Sequence, residues 1–285
     1  MRRVSTPPFL ELPDGVRSER RVTPRGDFAV LAAAPEGAQT RDPVLLVPGF
    51  TGSKEDFIAI IGPIASAGHP VTALDQRGQY ETAGGDDPSA YDVKALAEDL
   101  ISVVATLGGP VHLVGHSFGG LVVRAAALAD PGRVQSVTLL CSGPAAMPPP
   151  ASGDLQRLVQ ALPTTPMETI WAVKRHLDLD GRPGPPAVIE DFMRHRFLAN
   201  SPLSLLRIAE QMLTEPDRSA ELAALGRPTL VAFGTADEAW PPAVQRDMAT
   251  RLAAEVAEIE GAAHSPAAER PEETTAVLTR FWAST

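Results

Sequence analysis

The stretch "VHLVGHSFGG", Val111 to Gly120, constrains the fold more than any other part of the chain. Strand-forming residues run into a serine fenced by glycines, and an apolar helix-forming segment follows at once. With no room for an ordinary loop, the central residue of so tight a turn is forced into a sparsely populated backbone region, a strain of roughly 1–3 kcal/mol. Gly115 and Gly119 relieve the crowding on either side, and the turn lifts the Ser117 hydroxyl clear of a sheet at the start of a helix. A chance Gly-Ser loop is the plain alternative. The strand before and the helix after argue against it.

The surrounding chain repeats the same rhythm. Edge strands are expected at residues 20–22 and 28–32, and "VLLVPGF" (Val44 to Phe50) reads as a buried strand followed by a glycine loop. An amphipathic segment at 54–67, a strand ending at Asp75, a helix at 93–107, the Ser117 turn with its helix to 129, and a strand at 134–141 come next. Strands alternating with helices require crossovers, hence a mostly parallel sheet covered on both faces. Proline clusters at 148–150 and 183–186 then interrupt the pattern, and residues 143–227 show helices without a convincing strand. The alternation resumes at Pro228 with a strand, a helix at 243–253, a short strand and a final helix at 271–282. The expected organisation is a core of residues 1–142 and 228–285, with a helical lid of 143–227 inserted in it; no internal repeat is visible.

A length of 285 residues and 44% hydrophobic composition suffice for such a core. A formal charge of -10 argues against nucleic acid or an anionic membrane surface as partner and leaves a small molecule as the expected ligand. Apolar runs are broken by His112, His116, Arg124 and Asp130, and Pro7, Pro8 and Glu11 interrupt the N-terminal region, so neither a membrane span nor an export signal is expected. Cys141 is the only cysteine, which fits a reducing cytoplasm and leaves no thiolate cluster for a structural metal. Lys54, Lys94 and Lys174 are the only lysines among 25 basic residues, a bias that fits a GC-rich bacterial genome. No pattern specifies an oligomeric state.

Serine is a poor nucleophile at neutral pH and needs an imidazole to take its proton and a carboxylate to orient that imidazole. In open α/β sheets, ligand chemistry gathers beyond the carboxyl ends of the strands. "FGTADEAWP" places Asp237 just past one strand and "EGAAHSP" places His264 just past the next, in the chain order serine, acid, histidine. Glu238 adjoins Asp237, and the sequence alone does not fully separate the two; Asp237 is favoured. Asp75 is the runner-up acid, though Arg77 offers it an ion pair. His112 and His116 read as structural, His69 lies at the wrong edge, and His176 and His195 belong to the lid. Charge developing on an acyl oxygen needs donors. The Phe118 amide follows the nucleophile at a helix start, and the Phe50 amide lies beyond Pro48, which has no N–H, and Gly49, which permits the bend.

Taken together, "GHSFGG", "GTADEAWP", "GAAHSP" and "PGF" resemble the nucleophile elbow, acid loop, histidine loop and oxyanion loop of the α/β-hydrolase superfamily, over about residues 44–282. The resemblance implies a central sheet of about eight strands, a helical cap after the sixth, and Ser117 as nucleophile, Asp237 as acid and His264 as base, with no cofactor and no metal. Two departures are visible: Pro48 stands where the family usually has His, and "DQRGQYET" departs from the commoner DxRGxGxS. The resemblance implies hydrolysis of a carboxylic ester or related acyl bond of a small to medium apolar substrate. Cofactor-free haloperoxidases, C–C hydrolases and small-molecule receptors of the same fold are the alternatives; a metal-dependent hydrolase lacks its HExxH or paired Cys/His spacing. Phe50, Phe57, Phe118, Trp171, Phe192, Met193 and Trp240 are candidate apolar walls of the pocket, although aromatics at helical spacing more often serve a core.

Overall fold

Hydrophobic runs of four to seven residues bounded by Gly and Pro become strands here because burial on both faces rewards them. The computed structural model describes residues 5–37, 41–179, 181 and 183–285. The chain opens with a hairpin of β1 (Arg17–Thr23) and β2 (Gly26–Ala33), then β3 (Val44–Val47), α1 (Ile58–Ser66), β4 (Val71–Leu74), α2 (Val93–Val104), β5 (Val111–His116), α3 (Phe118–Ala129) and β6 (Val134–Leu140). Five helices follow before the next strand: α4 (Ala151–Ala161), α5 (Met167–Leu179), α6 (Ala187–Ala199), α7 (Pro202–Thr214) and α8 (Ser219–Ala224). They form the helical cap. The chain closes with β7 (Thr229–Gly234), α9 (Pro242–Leu252), β8 (Glu255–Ile259), α10 (Pro266–Glu269) and α11 (Pro271–Trp282).

The eight strands form one sheet in the order β1-β2-β4-β3-β5-β6-β7-β8. The first two pairings are antiparallel, and the remainder are parallel. Alternation along the strands divides the interior into two layers. Leu45, Val47, Val111 and Leu113 face α2, α3 and α9, whereas Val44, Leu46 and Val114 face α1 and α11. Each fully buried Leu, Ile or Val contributes about 1.5–3 kcal/mol of transfer free energy, so the two layers dominate the stability. Among the described residues, no helix is long and apolar enough to cross a membrane.

The second half of the cap is tied to the core by buried polar contacts. From α6, Arg196 Nη1 meets Asp56 Oδ1 at 2.6 Å and Nη2 donates to the Ser5 carbonyl at 2.8 Å, with both charged side chains almost fully buried. The Ser201 amide donates to the Gly78 carbonyl at 2.9 Å, and Glu215 pairs with Arg124 of α3 at 2.7 Å.

Candidate active site

Ser117 sits between β5 and α3 with φ 54 and ψ -121, the sparsely populated backbone geometry expected of so tight a turn. Its backbone is over-determined: the amide donates to the Leu140 carbonyl at 2.9 Å, and its own carbonyl accepts from the Gly120 amide at 2.9 Å and the Ser142 hydroxyl at 2.8 Å. The elbow also packs hard against the loop after β3. A methyl on Gly119 would lie 2.4 Å from the Val47 carbonyl oxygen, and one on Gly49 would lie 2.9 Å from Ser117 Cβ. Only glycine lets the two backbones approach this closely.

Three separate loops then converge. Ser117 Oγ lies 3.0 Å from His264 Nε2, and His264 Nδ1 donates to Asp237 Oδ1 at 2.9 Å. Because a carboxylate only accepts, the proton of His264 rests on Nδ1 and leaves Nε2 free to accept from the serine hydroxyl. The acid and histidine loops are joined backbone to backbone, with the Ala236 amide donating to the Ala262 carbonyl at 3.0 Å. Asp237 is further held by the Ala239 amide on Oδ1 and by Gln245 Nε2 on Oδ2, both at 2.9 Å. Glu238, its sequence neighbour, is exposed.

Other sequence candidates fall elsewhere. Asp75 is fully buried and pairs with Lys54, not Arg77: Lys54 donates to it from the backbone amide at 2.8 Å and from Nζ at 2.9 Å. Burial pushes the Asp75 carboxyl up to about 7, against the pull of Lys54. Arg77 instead grips Asp99 through Nε at 2.7 Å and Nη2 at 2.8 Å. His112 contacts Ser136 Oγ at 2.8 Å and stacks on Trp282. His69 donates to the Asp42 carbonyl at 2.8 Å. His116 is structural in a specific way: its Nε2 donates to the His264 carbonyl at 2.6 Å, fixing the backbone of the histidine loop. Burial, followed by the neighbouring His264, holds the His116 imidazole down at about 3, so it stays neutral.

The Phe118 amide directly follows Ser117, Phe50 directly follows Gly49, which packs against Ser117, and neither amide has a backbone acceptor among the described residues. A cleft of about 360 Å³ opens between α4 and α5, lined by Phe50 together with Leu155, Leu158, Ile170, Val173 and Leu177. Of the seven residues expected as pocket walls, Phe50 lines this cleft, and Phe57, Phe118, Trp171, Phe192, Met193 and Trp240 do not. Phe57 is buried in the layer beneath α1, on the far side of the sheet; Trp171 packs on Phe197, and Met193 belongs to the core beneath the cap. Phe192 meets Tyr80 edge to face at 5.6 Å, and Trp240 is fully buried against Gly143, its ring 6.4 Å from that of His264. Helices α5 and α6 turn Trp171 and Met193 inward to pack, a direction that spacing alone does not encode.

Among the described residues, one group of metal-ligating side chains comes together: Cys141, Asp237 and His264, with ligand atoms within 4.8 Å of one another. Two of the three are already engaged in the chain of hydrogen bonds to Ser117, and burial pushes the Cys141 thiol well above its usual range. Gln245, Gln76 and Gln79 are the polar residues at the site that sequence reasoning missed. Each acts through a contact between distant segments: Gln76 and Gln79 lie in "DQRGQYET" but at positions the family's pattern leaves open, and Gln245 falls in no spacing pattern.

Comparison with known proteins agrees with this architecture. The sequence profile of the alpha/beta hydrolase family matches residues 44–277. The chain is 36% identical over 105 residues to a putative carbamate hydrolase of Variovorax paradoxus, a match covering 36% of this chain and 39% of that protein. It is 29% identical over 255 residues to rhodomycin D methylesterase of a Streptomyces species, covering 78% of this chain and 85% of the relative. The first of these matches spans well under two thirds of the relative's length. Among solved structures, a putative lipase from Acinetobacter baumannii superposes with a TM-score of 0.78 at 21% identity, over 95% of this chain and 93% of the other, which shows a shared fold. With the family profile covering most of its length, this chain belongs to the alpha/beta hydrolase family of enzymes.

Proposed function

We propose that this protein hydrolyses a carboxylic ester, or a related acyl bond, of a small to medium apolar substrate through an acyl-enzyme on Ser117. The observation that carries the reading is His264, set between Ser117 Oγ at 3.0 Å and Asp237 Oδ1 at 2.9 Å. His264 Nε2 takes the hydroxyl proton as Oγ attacks the carbonyl, and Asp237 stabilises the imidazolium that forms. The oxyanion accepts from the Phe50 and Phe118 amides, the latter at the helix N-terminus, where unpaired N–H groups favour negative charge. His264 then delivers its proton to the departing alcohol, and the acyl-enzyme is cleaved by a water from which His264 takes a proton in turn. The apolar walls of the cleft between α4 and α5 favour an apolar acyl or alcohol group. A relative named as a methylesterase supports an ester bond as the target.

The test is a panel of p-nitrophenyl esters of rising chain length beside lactone, amide and peracid-forming assays, with fluorophosphonate labelling. Stoichiometric labelling of Ser117 and turnover lost in Ser117→Ala are expected. Turnover that survives in Ser117→Ala, or tight binding of an ester without turnover in the parent, would overturn the reading.

A further inference from the structure

The loop "DQRGQYET" lies against the loop that carries Pro48, so the two segments in which the sequence departs from its family's pattern meet in space. Gln76 and Gln79 are both almost fully buried there. Gln76 Nε2 donates to the Pro48 carbonyl at 2.9 Å, and Gln79 Nε2 donates to the Gly49 carbonyl at 3.0 Å. The Gly52 amide donates to the same Gly49 carbonyl at 3.1 Å.

Peptide planarity gives these contacts a consequence. The Gly49 carbonyl and the Phe50 N–H belong to one peptide unit and point in opposite directions along its plane. Fixing the oxygen therefore fixes the direction of the N–H. A donor on the carbonyl also polarises the amide and strengthens what its N–H donates, by about 10–30% in chains of such bonds. We infer that Gln79, supported by Gln76, is the positioning residue that aims the Phe50 N–H at the oxyanion, acting through the shared Gly49–Phe50 peptide.

The glutamines are themselves immobilised. Gln79 Oε1 accepts from the Gln76 amide at 3.3 Å, and the backbone around it closes through Gln79 N to Gln76 O and Thr82 N to Gln79 O, both at 2.9 Å. Thr82 Oγ1 accepts from the Ala29 amide of β2 at 2.9 Å, which ties the loop to the sheet. On the cap side, the Gly78 carbonyl accepts from the Ser201 amide. Tyr80, where the family's pattern has glycine, holds φ 41 and packs against Phe192, with Lys54 Nζ 4.6 Å from its ring centre. A backbone held in this region by contacts on both sides is the kind kept where geometry matters.

The inference rests on the acyl-transfer reading above. Its test replaces each glutamine by methionine, which keeps the length and removes the donor. In Gln79→Met, kcat on a p-nitrophenyl ester is expected to fall roughly 10- to 100-fold, short of the 10²–10³ that losing a whole oxyanion donor costs, and KM to change less than about threefold. Gln76→Met is expected to show a smaller loss of the same kind. Affinity for a trifluoromethyl ketone, which adds Ser117 Oγ to its carbonyl and leaves an oxyanion, should fall in parallel with kcat. Rates are taken per labelled Ser117. A purely structural role would lower the melting temperature or the labelled fraction and leave the per-site rate and the ketone affinity intact. A folded Gln79→Met with parental kcat overturns the inference. If Gln79→Met does not fold, Gln79→Asn, one methylene shorter, is read the same way, and failure of both to fold overturns it too. Turnover persisting in Ser117→Ala would instead overturn the acyl-transfer reading, whereas a dead Ser117→Ala beside a fully active Gln79→Met removes only the role of the glutamine.

Discussion

Gly49→Ala puts the close packing of the elbow to a direct test. The backbone of Gly49 lies outside the left-handed region, so alanine adds a methyl group without a torsional penalty. That methyl would sit 2.9 Å from Ser117 Cβ and 3.3 Å from His116 Nδ1. Carbon atoms prefer separations of about 3.5–4.0 Å, so the loop carrying Phe50 must retreat from Ser117 by about 0.6–1.1 Å. A misplacement of about 1 Å can cost 10²-fold in rate, so kcat/KM should fall roughly 10- to 100-fold. Overpacking of this kind costs about 1–3 kcal/mol, which corresponds to a melting temperature lowered by about 10 °C at most. The assay is steady-state hydrolysis of p-nitrophenyl butyrate at 25 °C, normalised to active sites titrated with fluorophosphonate, beside a thermal melt. A folded Gly49→Ala enzyme whose kcat/KM stays within twofold of the parent would refute the reasoning.

Ser117→Ala and His264→Ala should each lose about as much rate as the double variant, on the order of 10⁶-fold, because the groups act as one unit; additive mild losses in steady-state kinetics would contradict this. Arg196→Met strands the buried carboxylate of Asp56 and should cost about 3–5 kcal/mol in urea unfolding, with most of it recovered in the Arg196→Met/Asp56→Leu double variant. His112 and His116 are both held down at about 3, below the ordinary value near 6.5, so the unfolded chain binds more protons between those limits. Their contribution is fully present above about pH 6.5 and is lost as pH falls toward 3, at about 1.4 kcal/mol per pH unit for each group; urea midpoints at pH 7, 6 and 5 check the slope, which His112→Phe should reduce. Dialysis against EDTA should leave ester hydrolysis unchanged, and a loss restored by added metal would count against a metal-free serine mechanism.

Most strands were legible because apolar runs ended by Gly or Pro leave little choice of register. The strand expected at 134–141 is β6 at Val134–Leu140, and the helix expected at 271–282 is α11. Residues 54–67 are less regular than their apolar spacing implies: a short 3₁₀ turn, Lys54–Phe57, precedes α1, and the Lys54 amide within it donates to Asp75. Ser117, Asp237 and His264 could be picked out because each follows a strand within a few residues, which leaves the fold little freedom over where they meet. The partner of Asp75 was misassigned because sequence adjacency favoured Arg77, whereas folding brings Lys54 across from another loop. The apolar residues of the cap were hardest to place, since a helix with apolar positions on several faces does not declare which one meets the cleft. Gln245 escaped for a related reason: a buried amide on an amphipathic helix leaves no mark until the loop carrying Asp237 folds over it.

The ties of Arg196, Ser201 and Glu215 to the core all lie in the half of the roof built from α6 to α8. A roof bolted along one side does not lift as a plate, since rocking it would tear charged groups out of their buried sockets. On this reasoning, traffic into the cleft is expected on the opposite side, where α4 and α5 part. Amide exchange should be fastest along that side, and a covalent staple between those two helices would shut the door while leaving the hearth beneath intact.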